Sequence, residues 1–136
     1  MHADQPPVEL LRSFYELWSA GDYIEAATLL FDPDVELVQP PELPGGGGSY
    51  HGYEGLRRAL DESLEAWDYL HAEAERFALG KDTVVVTVRL RSRGRHTEME
   101  LDRRIGHLFR FRGERAVRWE VYWSPAEALE AAGLSE

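Results

Sequence analysis

The sequence predicts an α+β domain in which one strongly curved antiparallel sheet wraps around three N-terminal helices and a short helix closes the chain. Three patterns carry this expectation. Apolar residues recur at helical spacing through the first 66 residues, interrupted at Gly21, Pro33 and the run from Pro40 to Gly48. From Tyr69 onward they alternate instead, as in half-buried strands. The final hairpin is the strongest instance. Met99, Leu101, Ile105, Phe109 and Phe111 share one face of its first strand, and Val117, Trp119, Val121 and Trp123 share one face of its second.

Each element follows from local chemistry. Asp4 can cap a first helix, with Pro6 and Pro7 in its opening turn and Val8, Leu11, Phe14, Tyr15 and Trp18 on one stripe; Gly21 ends it. Asp22 starts a second helix, where Glu25 completes a capping box and Ile24, Ala27 and Leu30 or Phe31 face inward until Pro33. A short strand from Val35 to Gln39 follows. Pro40, Pro41, Pro44 and the glycines Gly45 to Gly48 remove donors and loosen the backbone, so this stretch reads as a mobile loop beside a pocket mouth. It lacks the Lys-Ser/Thr pair of a phosphate cradle. Gly52 to Ala66 is a third helix with Leu56, Leu60 and Leu64 inward. Strands are expected at Tyr69 to Leu79, Thr83 to Arg91, Glu98 to Arg112 and Arg115 to Trp123, with turn residues at Gly80-Lys81-Asp82 and Gly94. Ser124-Pro125-Ala126-Glu127 is a capping box with proline at the first helical position, opening a helix that Gly133 closes.

Registers can be argued too. A turn near Gly94 placing Arg93 opposite His96 would set Arg91 against Glu98, Arg89 against Glu100, Val88 beside Leu101 and Leu90 beside Met99. The arginine row is then a solvated, charge-paired face rather than a polyanion site. In the last hairpin a three-residue turn through Gly113-Glu114-Arg115 aligns the apolar rows and sets His107 next to Val121.

At 136 residues, 43% hydrophobic and 11% aromatic, the chain fits a single domain spanning residues 1 to 136. A net charge of -10 argues against nucleic-acid binding. The absence of cysteine excludes disulfides, thiolate metal sites and cysteine nucleophiles. No histidines stand at metal-ligand spacing, so neither a metal nor a cofactor is expected. The first residues carry no basic-then-apolar leader, and no run is long and apolar enough for a membrane; a cytoplasmic protein is the expectation.

Several strings carry a family resemblance: Tyr15-Glu16-Leu17-Trp18-Ser19-Ala20-Gly21-Asp22, His51-Gly52-Tyr53-Glu54-Gly55, His107-Leu108-Phe109-Arg110-Phe111, and Glu120-Val121-Tyr122-Trp123-Ser124 with Glu127-Ala128-Leu129-Glu130-Ala131-Ala132-Gly133-Leu134. In these and in element order the chain resembles the SnoaL-like group of the nuclear-transport-factor-like superfamily. The resemblance implies a cone-shaped fold around a pocket and a homodimer. It leaves function open, because the superfamily hosts isomerases, cyclases, epoxide hydrolases, dehydratases and non-enzymes. Ketosteroid isomerases, resembled at Val121-Tyr122-Trp123-Ser124, use a tyrosine, an acid and a general-base aspartate; Phe14, His107 and Gln39 stand at those positions here. Limonene-epoxide hydrolases use an Asp-Arg-Asp set, where this chain has Leu90, Val88 and Val121. Neither residue set is present.

The candidate catalytic residues are therefore His107, as acid/base, and Gln39, orienting a carbonyl or a water. Candidate ligand-binding residues are Phe14, Tyr15, Trp18, Leu37, Val88, Leu90, Arg103, Trp119, Val121 and Trp123. Each has a plainer alternative. His107 and Gln39 could satisfy each other, and Arg103, which could hold a carboxylate, stands among charges that favour a structural ion pair. His51 reads as a loop anchor. Two functions stay open: a cofactor-independent isomerase, cyclase or lyase acting on a small apolar or polyketide-like carbonyl compound, and a non-catalytic pocket for a small apolar or aromatic ligand.

Overall fold

The computed structural model describes residues 7–42, 47–96 and 98–134. In chain order the elements are α1 (Val8–Ser19), α2 (Tyr23–Leu30), β1 (Phe31–Gln39), β2 (Gly48–His51), α3 (Gly52–Ala66), β3 (Trp67–Leu79), β4 (Thr83–Gly94), β5 (Glu100–Arg112), β6 (Arg115–Tyr122) and α4 (Pro125–Ala132). The strands form one sheet in the order β2-β1-β6-β5-β4-β3. The expected α+β class stands, with one refinement. β1 and β6 run parallel, which makes the sheet mixed, while every other neighbouring pair is antiparallel.

The boundaries that moved did so for local reasons. α1 begins at Val8 after Pro7; Asp4 lies outside the described residues. α2 ends at Leu30 because Phe31 turns extended and its ring enters the core, and the Asp22 side chain makes no capping hydrogen bond. Gly48 to His51 form the edge strand β2 on β1, which begins on the last glycine of the stretch read as loop. α4 follows the expected chemistry: the Glu127 amide donates to Ser124 Oγ at 3.3 Å, and Gly133 ends the helix in the left-handed region at φ 72°.

One face of the sheet carries the core. Val84, Val86, Val88 and Leu90 of β4, Ile105, His107 and Phe109 of β5, and Trp119 and Val121 of β6 are buried there beneath Leu11, Phe14 and Tyr15 of α1 and Leu56 and Ala59 of α3. Val85 and Leu108 point the other way and pack on Ala128 and Leu129 of α4. α4 approaches closely because position 106 is glycine. A Cβ at that position would sit 2.5 Å from the Ala128 Cβ and 3.0 Å from the Ser124 carbonyl oxygen.

The hairpin registers decide which side chains meet. His107 lies opposite Val121 as expected, but the turn has two residues, Gly113-Glu114, and not the expected three; a bulge between Arg110 and Phe111 supplies the extra residue that aligns the rows. The β4–β5 register departs from the expectation by four residues. Arg93 faces Glu100, Arg91 faces Asp102 and Arg89 faces Arg104, while Val88 faces Ile105 and Leu90 faces Arg103. The arginine row is nonetheless charge-paired, by Arg89 with Asp102 at 2.9 Å, Arg93 with Glu100 at 3.2 Å and Arg104 with Glu75 at 2.6 Å. Met99 falls outside β5 and is exposed rather than on the inner face. Among the described residues, no helix is long and apolar enough to cross a membrane.

Candidate functional site

A cavity of about 540 Å³ opens between the concave face of the sheet and the helices. Its inner wall is aromatic, from Phe14, Tyr15 and Trp18 of α1, Phe31 of β1 and Trp119 of β6. These rings pack mostly edge-to-face or tilted, Phe14 against Trp119 at 5.7 Å and Trp18 against Trp119 at 6.2 Å, while Phe31 stacks on Trp119 at 5.3 Å. Leu37, Leu90 and Val121 add aliphatic surface.

His107 is the polar centre of this wall. The register puts its side chain on the concave face of β5, where Tyr15 stacks on the imidazole at 5.9 Å and Trp119 meets it edge-on at 5.2 Å. The Tyr15 hydroxyl lies 2.7 Å from His107 Nδ1. Burial pushes the Tyr15 hydroxyl well above its ordinary pKa and pushes the imidazole down from 6.5 to about 3, so both are uncharged at neutral pH. The hydroxyl proton has no other hydrogen-bond partner among the described residues. Donation by the hydroxyl to Nδ1 gives that proton a partner, and in that arrangement the imidazole proton sits on Nε2. Nε2 has no hydrogen-bond partner among the described residues, and His107 lines the cavity.

Gln39 lines the same cavity. It lies two residues beyond Leu37, which pairs with Trp119, so it shares the concave face with Val121 between it and His107. The two backbones are about 10 Å apart, two strand spacings. No hydrogen bond joins the two side chains; the partner of His107 is Tyr15 instead. Phe14, the residue at the isomerase tyrosine position, is an apolar core ring, and the hydroxyl at this site comes from the next residue.

Seven of the ten candidate binding residues line the cavity: Phe14, Tyr15, Trp18, Leu37, Leu90, Trp119 and Val121. Val88, Arg103 and Trp123 are not in its lining. Val88 is sealed in the core. Arg103 has no carboxylate within ion-pair distance among the described residues, contrary to the ion pair expected for it; its guanidinium instead lies 3.9 Å over the Trp123 ring. His51 precedes α3 with its side chain exposed and making no cap bond. Gly47 and Gly48 are exposed and outside the lining, and Gly45 and Gly46 lie outside the described residues.

Other lining residues were not singled out from sequence. Tyr23 and Ile24 of α2 and Tyr53, Glu54, Arg57 and Asp61 of α3 form the outer rim, and Trp67, Leu70 and Ser92 form the end toward β3. Ser92 was legible by parity, since it alternates with the outward arginines of β4 and must face inward. Its hydroxyl and the indole N–H groups of Trp18 and Trp119 are buried without hydrogen-bond partners among the described residues. No group of three or more His, Asp or Glu side chains there gathers as a metal site would require.

The fold and cavity define a cone-shaped pocket protein of the nuclear-transport-factor type. Residues 11 to 119 match the SnoaL-like domain family model, and the chain belongs to that family. Among solved structures it is similar to a nuclear-transport-factor-2-like protein of unknown function from Burkholderia pseudomallei, at 20% identity and TM-score 0.77, covering 92% of this chain and 95% of that one. The protein TerC, co-crystallised with polyporic acid, matches at 20% identity and TM-score 0.75 over 92% and 95% of the two chains. A candidate SnoaL-like polyketide cyclase from Mesorhizobium loti matches at 20% identity and TM-score 0.69 over 85% and 97%. No curated protein matches the chain in sequence. At these identities the structural likeness establishes the fold alone.

Proposed function

We propose that the chain takes up a small ring-containing carbonyl compound in the concave cavity and holds its carbonyl oxygen with the Nε2–H of His107. The observation that carries this is His107 in the wall of the aromatic cavity with the Tyr15 hydroxyl 2.7 Å from its Nδ1; with that hydroxyl donating, the imidazole N–H is at Nε2 and serves as the donor to the ligand. A cavity of about 540 Å³ falls within the range of small-molecule sites, and aromatic walls supply most of the affinity for a flat ring. Gln39 lies one strand beyond Val121 and is placed to orient the same carbonyl or a water. Candidate polyketide cyclases among the structural neighbours are consistent with a ligand of this kind.

A catalytic reading has one observation of its own. A hydrogen-bond donor fixed in advance, where charge would develop on an enolate oxygen, is the arrangement that lowers barriers to enolisation, aldol closure or dehydration. An imidazole with a pKa near 3 is a poor general base at neutral pH, so its contribution would be polarisation of the carbonyl, as in enzymes that keep an active-site histidine neutral. This narrows the acid/base role expected for His107 to that of a donor. The homodimer and cytoplasmic location expected from sequence belong to the same proposal. The outer face carries Arg110, Arg118, Glu120 and Tyr122, whose charges and hydroxyl already satisfy one another around Glu120.

The test is calorimetric titration with a panel of ring ketones and lactones, each bound compound then followed for turnover. Saturable binding that weakens at least tenfold in Trp119→Ala supports the pocket. Turnover lost in His107→Ala with binding largely kept supports catalysis. Failure of every compound at millimolar concentration would sink both.

A further inference from the structure

Given that the cavity binds a ligand, the distribution of charge around it restricts the chemical class.

Charge is confined to the α3 side of the lining. Among the described lining residues, only Glu54, Arg57 and Asp61 carry a full charge at neutral pH. They stand three and four residues apart on one side of α3, all exposed. Ile24 and Tyr53, large exposed apolar residues that also line the cavity, stand with them and mark the mouth between α2 and α3. The polar groups deeper in the lining are uncharged, among them Tyr15, His107, Gln39, Ser92 and the indoles of Trp18 and Trp119. The cation that a buried carboxylate would need is absent from that wall, because Arg103 lies over Trp123 outside it. An anion entering here would lose hydration without gaining a counter-charge, after passing two carboxylates offset by one guanidinium on a chain of net charge -10.

We infer that the cavity selects uncharged ring compounds that lead with an acceptor oxygen, and that Glu54 and Asp61 at the mouth are specificity-determining residues that turn away anions of the same skeleton. The rim contribution is modest. A carboxylate about 8 Å from an anion in water costs it roughly a factor of 2.4 in affinity, so the two together cost about fivefold at low salt.

The experiment compares 2-acetylnaphthalene with 2-naphthoate, a ketone and a carboxylate on one skeleton, by calorimetry at pH 7.5 in low salt. The parent protein should bind the ketone at least 20-fold more tightly. The double variant Glu54→Gln with Asp61→Asn, isosteric changes at exposed positions, should improve 2-naphthoate about fivefold relative to the ketone, and 0.5 M salt should erase that improvement. Binding of 2-naphthoate as tight as that of the ketone in the parent would overturn the charge selection while leaving the pocket intact. An unchanged ratio in the double variant would overturn the role of the rim. If neither compound binds the parent at millimolar concentration, the binding reading itself fails, and this inference with it.

Discussion

Replacing Tyr15 by phenylalanine removes one oxygen from the centre of the site. The ring stays compatible with its neighbours, edge-on to Phe14 at 5.1 Å and stacked on His107 at 5.9 Å, so the loss is confined to the 2.7 Å hydrogen bond. His107 Nδ1 is then left in the protein interior without a donor. An orphaned buried acceptor costs about 1–3 kcal/mol. For 136 residues, an unfolding entropy of about 2.1 cal/mol/K per residue makes that a fall in Tm of about 3–10 °C. The same change frees the imidazole to exchange tautomers, so the nitrogen-15 shifts of Nδ1 and Nε2, well separated in the parent, should move toward each other. Thermal denaturation and a long-range nitrogen-proton spectrum of the histidines measure the two effects. A variant as stable as the parent, with both nitrogens unmoved, would refute the claim that Tyr15 fixes the tautomer.

Other consequences follow from the same geometry. Burial holds His107 near 3 in the folded protein against about 6.5 unfolded, so between those values only the unfolded chain is protonated. Stability from this group is complete above about pH 6.5 and falls by about 1.4 kcal/mol per pH unit on the way down. Urea midpoints of His107→Gln between pH 4.5 and 6.5, above the carboxylate range, should therefore vary less with pH than those of the parent; parallel curves would count against a buried neutral imidazole. Gly106→Ala drives a methyl group into Ala128 and should destabilise by about 1–3 kcal/mol in urea unfolding. Adding Ala128→Gly should return part of that loss, which an unrelated backbone effect would not allow. Arg89→Ala, by contrast, breaks only an exposed pair with Asp102 and should leave Tm unchanged within error.

The fold was legible because its signals are periodic and redundant. Helix α4 illustrates this: Ser124, Pro125, Glu127 and Gly133 each specify the same boundaries, and the structure uses them all. Long-range register was less legible. The Gly94 hairpin slipped four residues from expectation because the glycine lies at the end of a strand and not at the centre of a tight turn; its amide bonds to the Met99 carbonyl, so the connection is longer. The site was visible in outline through His107, Gln39, Trp18 and Trp119. The partner of His107 was not. Phe14 and Tyr15 are adjacent on α1 and both pack on the sheet, and which of them meets His107 depends on the roll of the helix, set by packing against β5 and β6. For Arg103 the sequence offered several acidic neighbours, and the structure chose a tryptophan face instead. Glu120 shows the reverse. Burial alone would push its carboxyl up, but hydrogen bonds from Tyr122, Arg118 and Arg110 outweigh that and hold it below the usual range. Alternation along β6 puts Arg118, Glu120 and Tyr122 on one face, but how they pair around the carboxylate depends on the β5–β6 register.

The central claim is that the free N–H of His107 meets the ligand inside the aromatic cavity. Its most direct test is to follow the nitrogen-15 signals of the histidine rings and the tryptophan indoles while titrating 2-acetylnaphthalene. The account predicts saturable movement of His107 Nε2 and the Trp119 indole with one common dissociation constant, and no movement of Trp123, which lies outside the cavity. Movement of Trp123 with His107 and Trp119 silent would contradict it and place the ligand elsewhere on the protein.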